Sequence, residues 1–132
     1  MNAIALLSGG LDSTVATWLA AQEMTVGLAL TCDYGQRAAA REIEAAARIA
    51  AALGVPHQVV PLPWLKTVAQ DALTDASRLL PELKPEELDT KAAVQSAAAV
   101  WVPNRNGLML NIAGVFAEAL HCQAIIVGFN AE

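Results

Sequence analysis

The chain has 132 residues, a formal net charge of −5, 55% hydrophobic residues and 16% charged residues. That length and composition give one domain with a real core and exclude a disordered chain. The acidic balance counts against a nucleic-acid surface, which is usually a basic patch. Two cysteines, Cys32 and Cys122, make neither a disulfide framework nor a metal cluster.

The N-terminal apolar run, Ala3 to Leu7, predicts a parallel strand buried on both faces. It carries no basic flank and is too short for a signal peptide. Ser8-Gly9-Gly10-Leu11-Asp12-Ser13 follows, then a helix over about Asp12 to Gln22. Strand, glycine turn and helix N-terminus in that order make an anion site, because the first helical turn offers unpaired N–H groups and a positive dipole end. The glycines let the backbone turn sharply. Ser8, Ser13 and Thr14 add hydroxyls. Asp12 fits if it caps the helix or meets a Mg²⁺ that bridges it to phosphates. The loop lacks the Lys of a P-loop and the spacing of a dinucleotide-binding motif.

A second strand is predicted over Thr25 to Thr31, ending in the polar loop Cys32 to Arg37. A helix over about Ala39 to Leu53 has apolar residues at helical spacing and stops at Gly54, before Pro56. His57 to Pro61 is a short third strand. Strand, helix, strand, helix, strand is the pattern of an α/β parallel sheet with ligands at the carboxyl ends of its strands. The Ser8 loop and the Cys32–Arg37 loop should therefore face one pocket. Prolines break up residues 62–100, which read as a mobile insertion near the site, with short helices from Trp64 to Leu73 and from Glu86 to Ala99. Val102 to Gly107 is a polar turn, Leu108 to Leu120 a helix, and Gln123 to Phe129 a fourth strand. Glu118 and His121 interrupt the apolar run from Ile112 to Phe129, so no membrane span is read. A reducing cytoplasm is expected.

The Ser-Gly-Gly-Leu-Asp-Ser loop resembles the pyrophosphate loop of the PP-loop ATP pyrophosphatases. With Asp33-Tyr34-Gly35-Gln36-Arg37, Val102-Pro103-Asn104-Arg105-Asn106 and, more weakly, Ala72-Leu73-Thr74, the chain is similar to the QueC (formerly ExsB) family, the 7-cyano-7-deazaguanine synthases. The resemblance implies a Rossmann-like, adenine nucleotide alpha hydrolase-like α/β fold, a parallel sheet flanked by helices. It implies an ATP-dependent ligase that makes the nitrile preQ0 from 7-carboxy-7-deazaguanine and ammonia in queuosine biosynthesis, with ATP and Mg²⁺ bound, as a homodimer. The family usually has glycine where Asn104 stands; Asn tolerates the left-handed region. Its structural zinc, on four C-terminal cysteines, has no ligands here. Residues 1–132 are therefore expected to be the N-terminal nucleotide-binding domain of a longer protein.

On this reading Ser8, Gly9, Gly10, Asp12, Ser13 and Thr14 meet the ATP phosphates, Asp12 also Mg²⁺, with Leu11 as a packing member of the loop. Asp33 faces the pocket from its own loop, and Gly128 ends a strand where the nucleotide lies against the backbone. Asp12, Ser13, Arg37 and Arg105 are the candidate catalytic residues; Arg37 suits bidentate contact with phosphate or carboxylate, with pairing to Glu42 or Glu44 as the alternative. Tyr34 either stacks on a base or packs. Cys32 and Cys122 read as small hydrophobes, and His57 and His121 as non-catalytic. Trp18, Trp64 and Trp101 read as core or lid residues. Arg41, Glu42, Glu44 and Arg48 read as a solvated helix face. The competing readings are a PP-loop tRNA thiolation enzyme, which needs a reactive cysteine pair and a basic surface; an amidotransferase-linked ATP pyrophosphatase; and a nucleotide-binding regulator without turnover.

Overall fold

The sheet is built around its first strand. β1 (Asn2–Leu6) lies between β2 (Thr25–Asp33) and β4 (Ala124–Ile126), and β3 (His57–Pro61) pairs the far edge of β2. All pairings are parallel, in the order β3-β2-β1-β4. The structure, a computed structural model, describes residues 2–69 and 104–129. α1 (Leu11–Glu23) connects β1 to β2, α2 (Ala39–Leu53) connects β2 to β3, and α3 (Arg105–Ala119) precedes β4. Residues 63–69 are also helical, which agrees with the described part of the short helix expected from Trp64. The remaining expectations for residues 70–103, Trp101, Ala72-Leu73-Thr74 and Val102-Pro103 among them, lie outside the described residues.

Alternation along β1 decides which helix lies on which face. Ala3, Ala5 and Leu7 join Ala29, Ala46 and Ala50 in one buried cluster, packed by Ala16 and Ala20 of α1. Small side chains on both surfaces let α1 and α2 lie close to the strands. Ile4, Leu6 and Leu30 point the other way and pack on Ala113 and Ala117 of α3. Ile4 is fully buried, so Ile4→Ala would cost about 2–5 kcal/mol. The chain steps from β1 through β2 to β3 on one side, then returns past them to β4. Right-handed crossovers put the helices of the outward steps on one face and the return helix on the other. The direction reverses between β1 and β4, so the crevice for a ligand opens at their carboxyl ends.

Several boundaries differ from the sequence reading. β2 runs on through Cys32 and Asp33, which pair with Val60 and Pro61 of β3. α3 begins at Arg105, not Leu108, because Asn104 adopts the left-handed conformation (φ 49°, ψ 36°) and turns the chain directly into the helix. Arg105, Asn106 and Gly107 are thus its first turn. β4 is three residues long, not seven, since beyond Ile126 the chain leaves β1 and packs on the start of α1. α2 ends as expected on Gly54, left-handed at φ 69°. Trp18 and Trp64 are about half exposed, at 52% and 51%.

Candidate functional site

The loop from Ser8 to Ser13 is held by its own hydroxyls. The Ser8 N–H donates to Ser13 Oγ at 3.0 Å, and the two serine hydroxyls share a hydrogen bond of 2.9 Å. The Gly10 N–H donates to Ser8 Oγ at 3.3 Å. Thr14 Oγ1 donates to the Gly10 carbonyl at 2.6 Å. Ser13 is 6% exposed and works as a staple at the bottom of the loop. The donors left free to meet a ligand are then backbone N–H groups of the first turn of α1, which have no carbonyl within the helix to bond. Gly10 is the N-cap and makes no side-chain capping bond. Asp12 therefore does not cap the helix as one expectation had it; it sits in the first turn. Leu11 is 78% exposed and does not pack.

Two glycines fit the loop into its surroundings. Gly9 has φ +82°, and a Cβ there would lie 2.6 Å from the Glu42 carbonyl oxygen. Only glycine satisfies both the backbone angle and that approach to α2. A Cβ on Gly128 would lie 2.6 Å from the Asp12 carbonyl carbon and oxygen and from the Ser13 nitrogen. The chain beyond β4 thus closes one wall against the N-terminus of α1.

A cavity of about 480 Å³ opens beside this loop, at the carboxyl ends of β1 and β2. Ser8, Gly10, Leu11, Asp12, Ser13, Arg105 and Gly128 of the expected residues line it. Gly9, Thr14, Asp33 and Arg37 do not. Gly9 faces α2 and Thr14 bonds its own helix. Asp33 Oδ1 accepts the Gly35 N–H at 3.1 Å, which folds the loop after β2. Arg37 is exposed; neither alternative partner is beside it in the way foreseen, since Glu44 pairs with Arg48 and Glu42 with Gln36.

Across the mouth, Arg105 Nη1 donates to the Tyr34 hydroxyl at 3.4 Å. This joins the loop after β2 to the start of α3 and sets a guanidinium at the cavity edge. Tyr34 also packs on the buried cluster of Cys32, Leu62 and Leu65. Leu6, Leu30, Met109 and Phe129 are among the apolar residues of the lining, a surface suited to a flat heterocycle.

Glu42 is the residue that sequence reasoning missed. The charge pattern places it on a solvated helix face, yet it lines the cavity. Gln36 reaches it from the loop: Nε2 donates to Glu42 Oε2 at 2.8 Å and to the Cys32 carbonyl at 3.2 Å, and Oε1 accepts the Tyr34 N–H at 3.0 Å. The position of Glu42 at the first turn of α2, next to a loop ending a strand, was the available signal.

Under the floor, Thr31 Oγ1 donates to the Leu7 carbonyl at 2.6 Å and bonds His57 Nε2 at 2.7 Å. The hydroxyl has one proton, so His57 Nε2–H must be the donor in the second bond. Burial lowers the His57 pKa, which keeps the ring neutral. Burial raises the pKa of Cys32, so its thiol stays protonated and unreactive. Cys122 lies by Gly27, its Sγ 3.8 Å from a Cβ there, at the amino end of β4 and away from the cavity. Among the described residues no three His, Cys, Asp or Glu side chains converge as a metal site.

A family model described as queuosine biosynthesis protein QueC matches residues 2–132. Three similar curated proteins are each called 7-cyano-7-deazaguanine synthase. That of Desulforamulus reducens is 53% identical over all of this chain and 58% of its own length. That of Desulforudis audaxviator is 52% identical over all of this chain and 60% of its own length. That of Methanocaldococcus jannaschii is 48% identical over all of this chain and 56% of its own length. The chain therefore spans less than two thirds of these relatives. A crystal structure described as a predicted tRNA methyltransferase subunit of M. jannaschii aligns with 58% of this chain and 38% of its own, at 25% identity and a TM-score of 0.43, a likeness too slight to bear on fold or function.

Proposed function

Because this chain belongs to the QueC family of queuosine biosynthesis proteins, we propose that the protein carrying it is an ATP-dependent carbon–nitrogen ligase. Its reaction is the conversion of 7-carboxy-7-deazaguanine and ammonia to 7-cyano-7-deazaguanine. The observation that supports this best is the Ser8–Ser13 loop, which opens its helix N-terminus into a cavity with an apolar floor and an arginine at its mouth.

The chemistry follows from what each ligand needs. A carboxylate is a poor electrophile. Attack of its oxygen on the α-phosphorus of ATP releases pyrophosphate and gives an acyl adenylate, whose AMP is a good leaving group. Ammonia displaces AMP to form an amide. A second adenylation, on the amide oxygen, lets AMP leave with that oxygen and a nitrile remain. Protein groups contribute by position and charge: the first-turn N–H groups of α1 hold phosphate oxygens, and Arg105 holds an anionic group at the mouth. Asp12 lines the cavity and fits Mg²⁺ if phosphate oxygens complete the shell; that ion neutralises phosphate charge when bound. Zinc does not fit this chain, whose two cysteines lie at opposite ends of the sheet.

The net charge of −5 and the buried Cys32 thiol favour a small-molecule substrate over tRNA thiolation. A homodimer in the cytoplasm is part of the proposal. Leu11, Val15, Trp18 and Leu19 leave an exposed apolar stripe on α1 that an interface would cover. No helix among the described residues is long and apolar enough to cross a membrane. The direct test is ATP–pyrophosphate exchange by the full-length protein. Exchange that requires both Mg²⁺ and 7-carboxy-7-deazaguanine supports the proposal; exchange indifferent to the acid contradicts it.

A further inference from the structure

Glu42 stands in the wrong place for a site that binds only anions. ATP and a carboxylate substrate both carry negative charge, and a carboxylate in the same cavity repels each of them. Yet Gln36 fixes Glu42 there through Oε2, while a second Gln36 hydrogen bonds Cys32 and its oxygen bonds Tyr34. One hydrogen bond from an amide that is itself tied at both ends holds the Glu42 carboxylate toward the cavity, where it suits a partner that donates hydrogen bonds or carries positive charge.

Three ligands of the proposed reaction qualify: Mg²⁺, the amino edge of the deazaguanine ring, and ammonia. Placement separates them. The backbone of Glu42 touches the loop at Gly9 and its side chain lines the same cavity, on the side where the ligase reading puts the phosphoryl and acyl groups. The amino edge of the ring is on the six-membered side, away from the 7-carboxyl, and would fall elsewhere. Mg²⁺ is taken by Asp12 in that reading, and among the described residues no group of three His, Cys, Asp or Glu side chains gathers at Glu42 to hold a metal ion. The Gln36 N–H occupies Oε2. It leaves Oε1, which accepts no hydrogen bond among the described residues, for an N–H of a neutral nucleophile.

We infer that Glu42 holds ammonia beside the acyl adenylate and takes up the proton that the nitrogen loses on attack, an assignment that rests on the ligase reading above. The nitrogen lone pair forms the C–N bond. The C–O bond to AMP breaks, and AMP leaves with the electron pair. One N–H proton passes to the Glu42 carboxylate and from there to solvent, leaving a neutral amide. Gln36 is the positioning residue that orients the acceptor.

The test compares two steps in the full-length protein. Acid-dependent ATP–pyrophosphate exchange without ammonia reads adenylation, and amide plus nitrile formation against ammonium concentration reads the second step. In Glu42→Gln, kcat/KM for ammonia falls about 100-fold or more, the loss typical of a missing proton acceptor, and exchange falls less than about threefold. Gln36→Leu keeps the carboxylate but frees it, and raises KM for ammonia about tenfold with a smaller effect on exchange. Retained exchange also shows that each variant is folded. Equal losses in both steps would overturn the inference and make Glu42 a structural residue. A selective rise in KM for 7-carboxy-7-deazaguanine would overturn it in favour of the amino edge, and a changed Mg²⁺ requirement in favour of a metal ligand. Absence of exchange in the wild-type protein would instead overturn the ligase reading.

Discussion

Gly128 and Asp12 meet backbone to backbone: a Cβ built on Gly128 would lie 2.6 Å from the carbonyl carbon and oxygen of Asp12. One residue follows the last described strand and the other stands in the first turn of α1. Their contact fixes the wall of the cavity to the Ser8–Ser13 loop. Gly128→Ala must push these segments apart, since backbone cannot give way as a long side chain does. The variant should lose about 1–3 kcal/mol of stability and bind ATP more weakly. Denaturant unfolding and nucleotide titration check the two effects. A variant with wild-type stability would show that the chain beyond β4 is not held against α1.

Asn104 and Gly107 form a second coupled pair. Asn104 turns the chain into α3 from the left-handed region, and its side chain folds over Gly107. A Cβ at Gly107 would overlap Asn104 Oδ1 and lie 2.9 Å from its Cγ. The overlap is with the end of a short side chain that makes no capping hydrogen bond, so Asn104 can turn away, and part of the roughly 1 kcal/mol by which alanine ordinarily exceeds glycine in a helix should survive. Gly107→Ala should therefore be neutral to slightly stabilising, and with Asn104→Gly already present it should stabilise more. A double-mutant cycle should read a coupling of about 0.5–1 kcal/mol, and no coupling would show that Asn104 does not lie over Gly107.

Arg105 reaches Tyr34 at 3.4 Å and brings a fork of donors to the cavity mouth. Arg105→Lys keeps the charge but loses the bidentate geometry. KM for an anionic substrate should rise about tenfold, equivalent to about 1.4 kcal/mol. Tyr34→Phe, which removes only the acceptor of a long hydrogen bond, should change it much less. Steady-state kinetics of both variants separates a ligand-binding arginine from one that merely closes the mouth.

His57 gives a pH dependence of known sign. Burial lowers its pKa below the ordinary value of 6.5, so the unfolded chain takes up the proton first as pH falls. The contribution of neutral His57 is fully present above pH 6.5 and is lost as pH drops through the lower, folded-state value. Unfolding midpoints measured from pH 7.5 downward should fall more steeply in the wild-type protein than in His57→Gln. Parallel curves would contradict the lowered pKa of His57 in the folded chain.

The parts of this molecule that read directly from sequence are those governed by local pattern. The apolar run of β1, the glycine loop and the Gly54 stop each follow from backbone preference or from burial on both faces. The parts that did not read depend on contacts between separated segments. Nothing along the chain shows that Gln36 folds back onto Glu42, so Glu42 looked like one more charge on a solvated helix. Asp33 and Thr14 have the right chemistry for a ligand, but a local turn and a helical carbonyl take up those groups. Asn104 hid the start of α3, because a left-handed asparagine lets a polar run that looks like a turn begin a helix.

The most direct measurement is mass spectrometry of the full-length protein incubated with ATP, Mg²⁺, ammonium and 7-carboxy-7-deazaguanine. A product at the mass of the nitrile, lost in Asp12→Ala, is the predicted result. Cleavage of ATP with no nitrile would contradict the substrate, and failure to bind ATP at all would contradict the assignment of the Ser8–Ser13 loop.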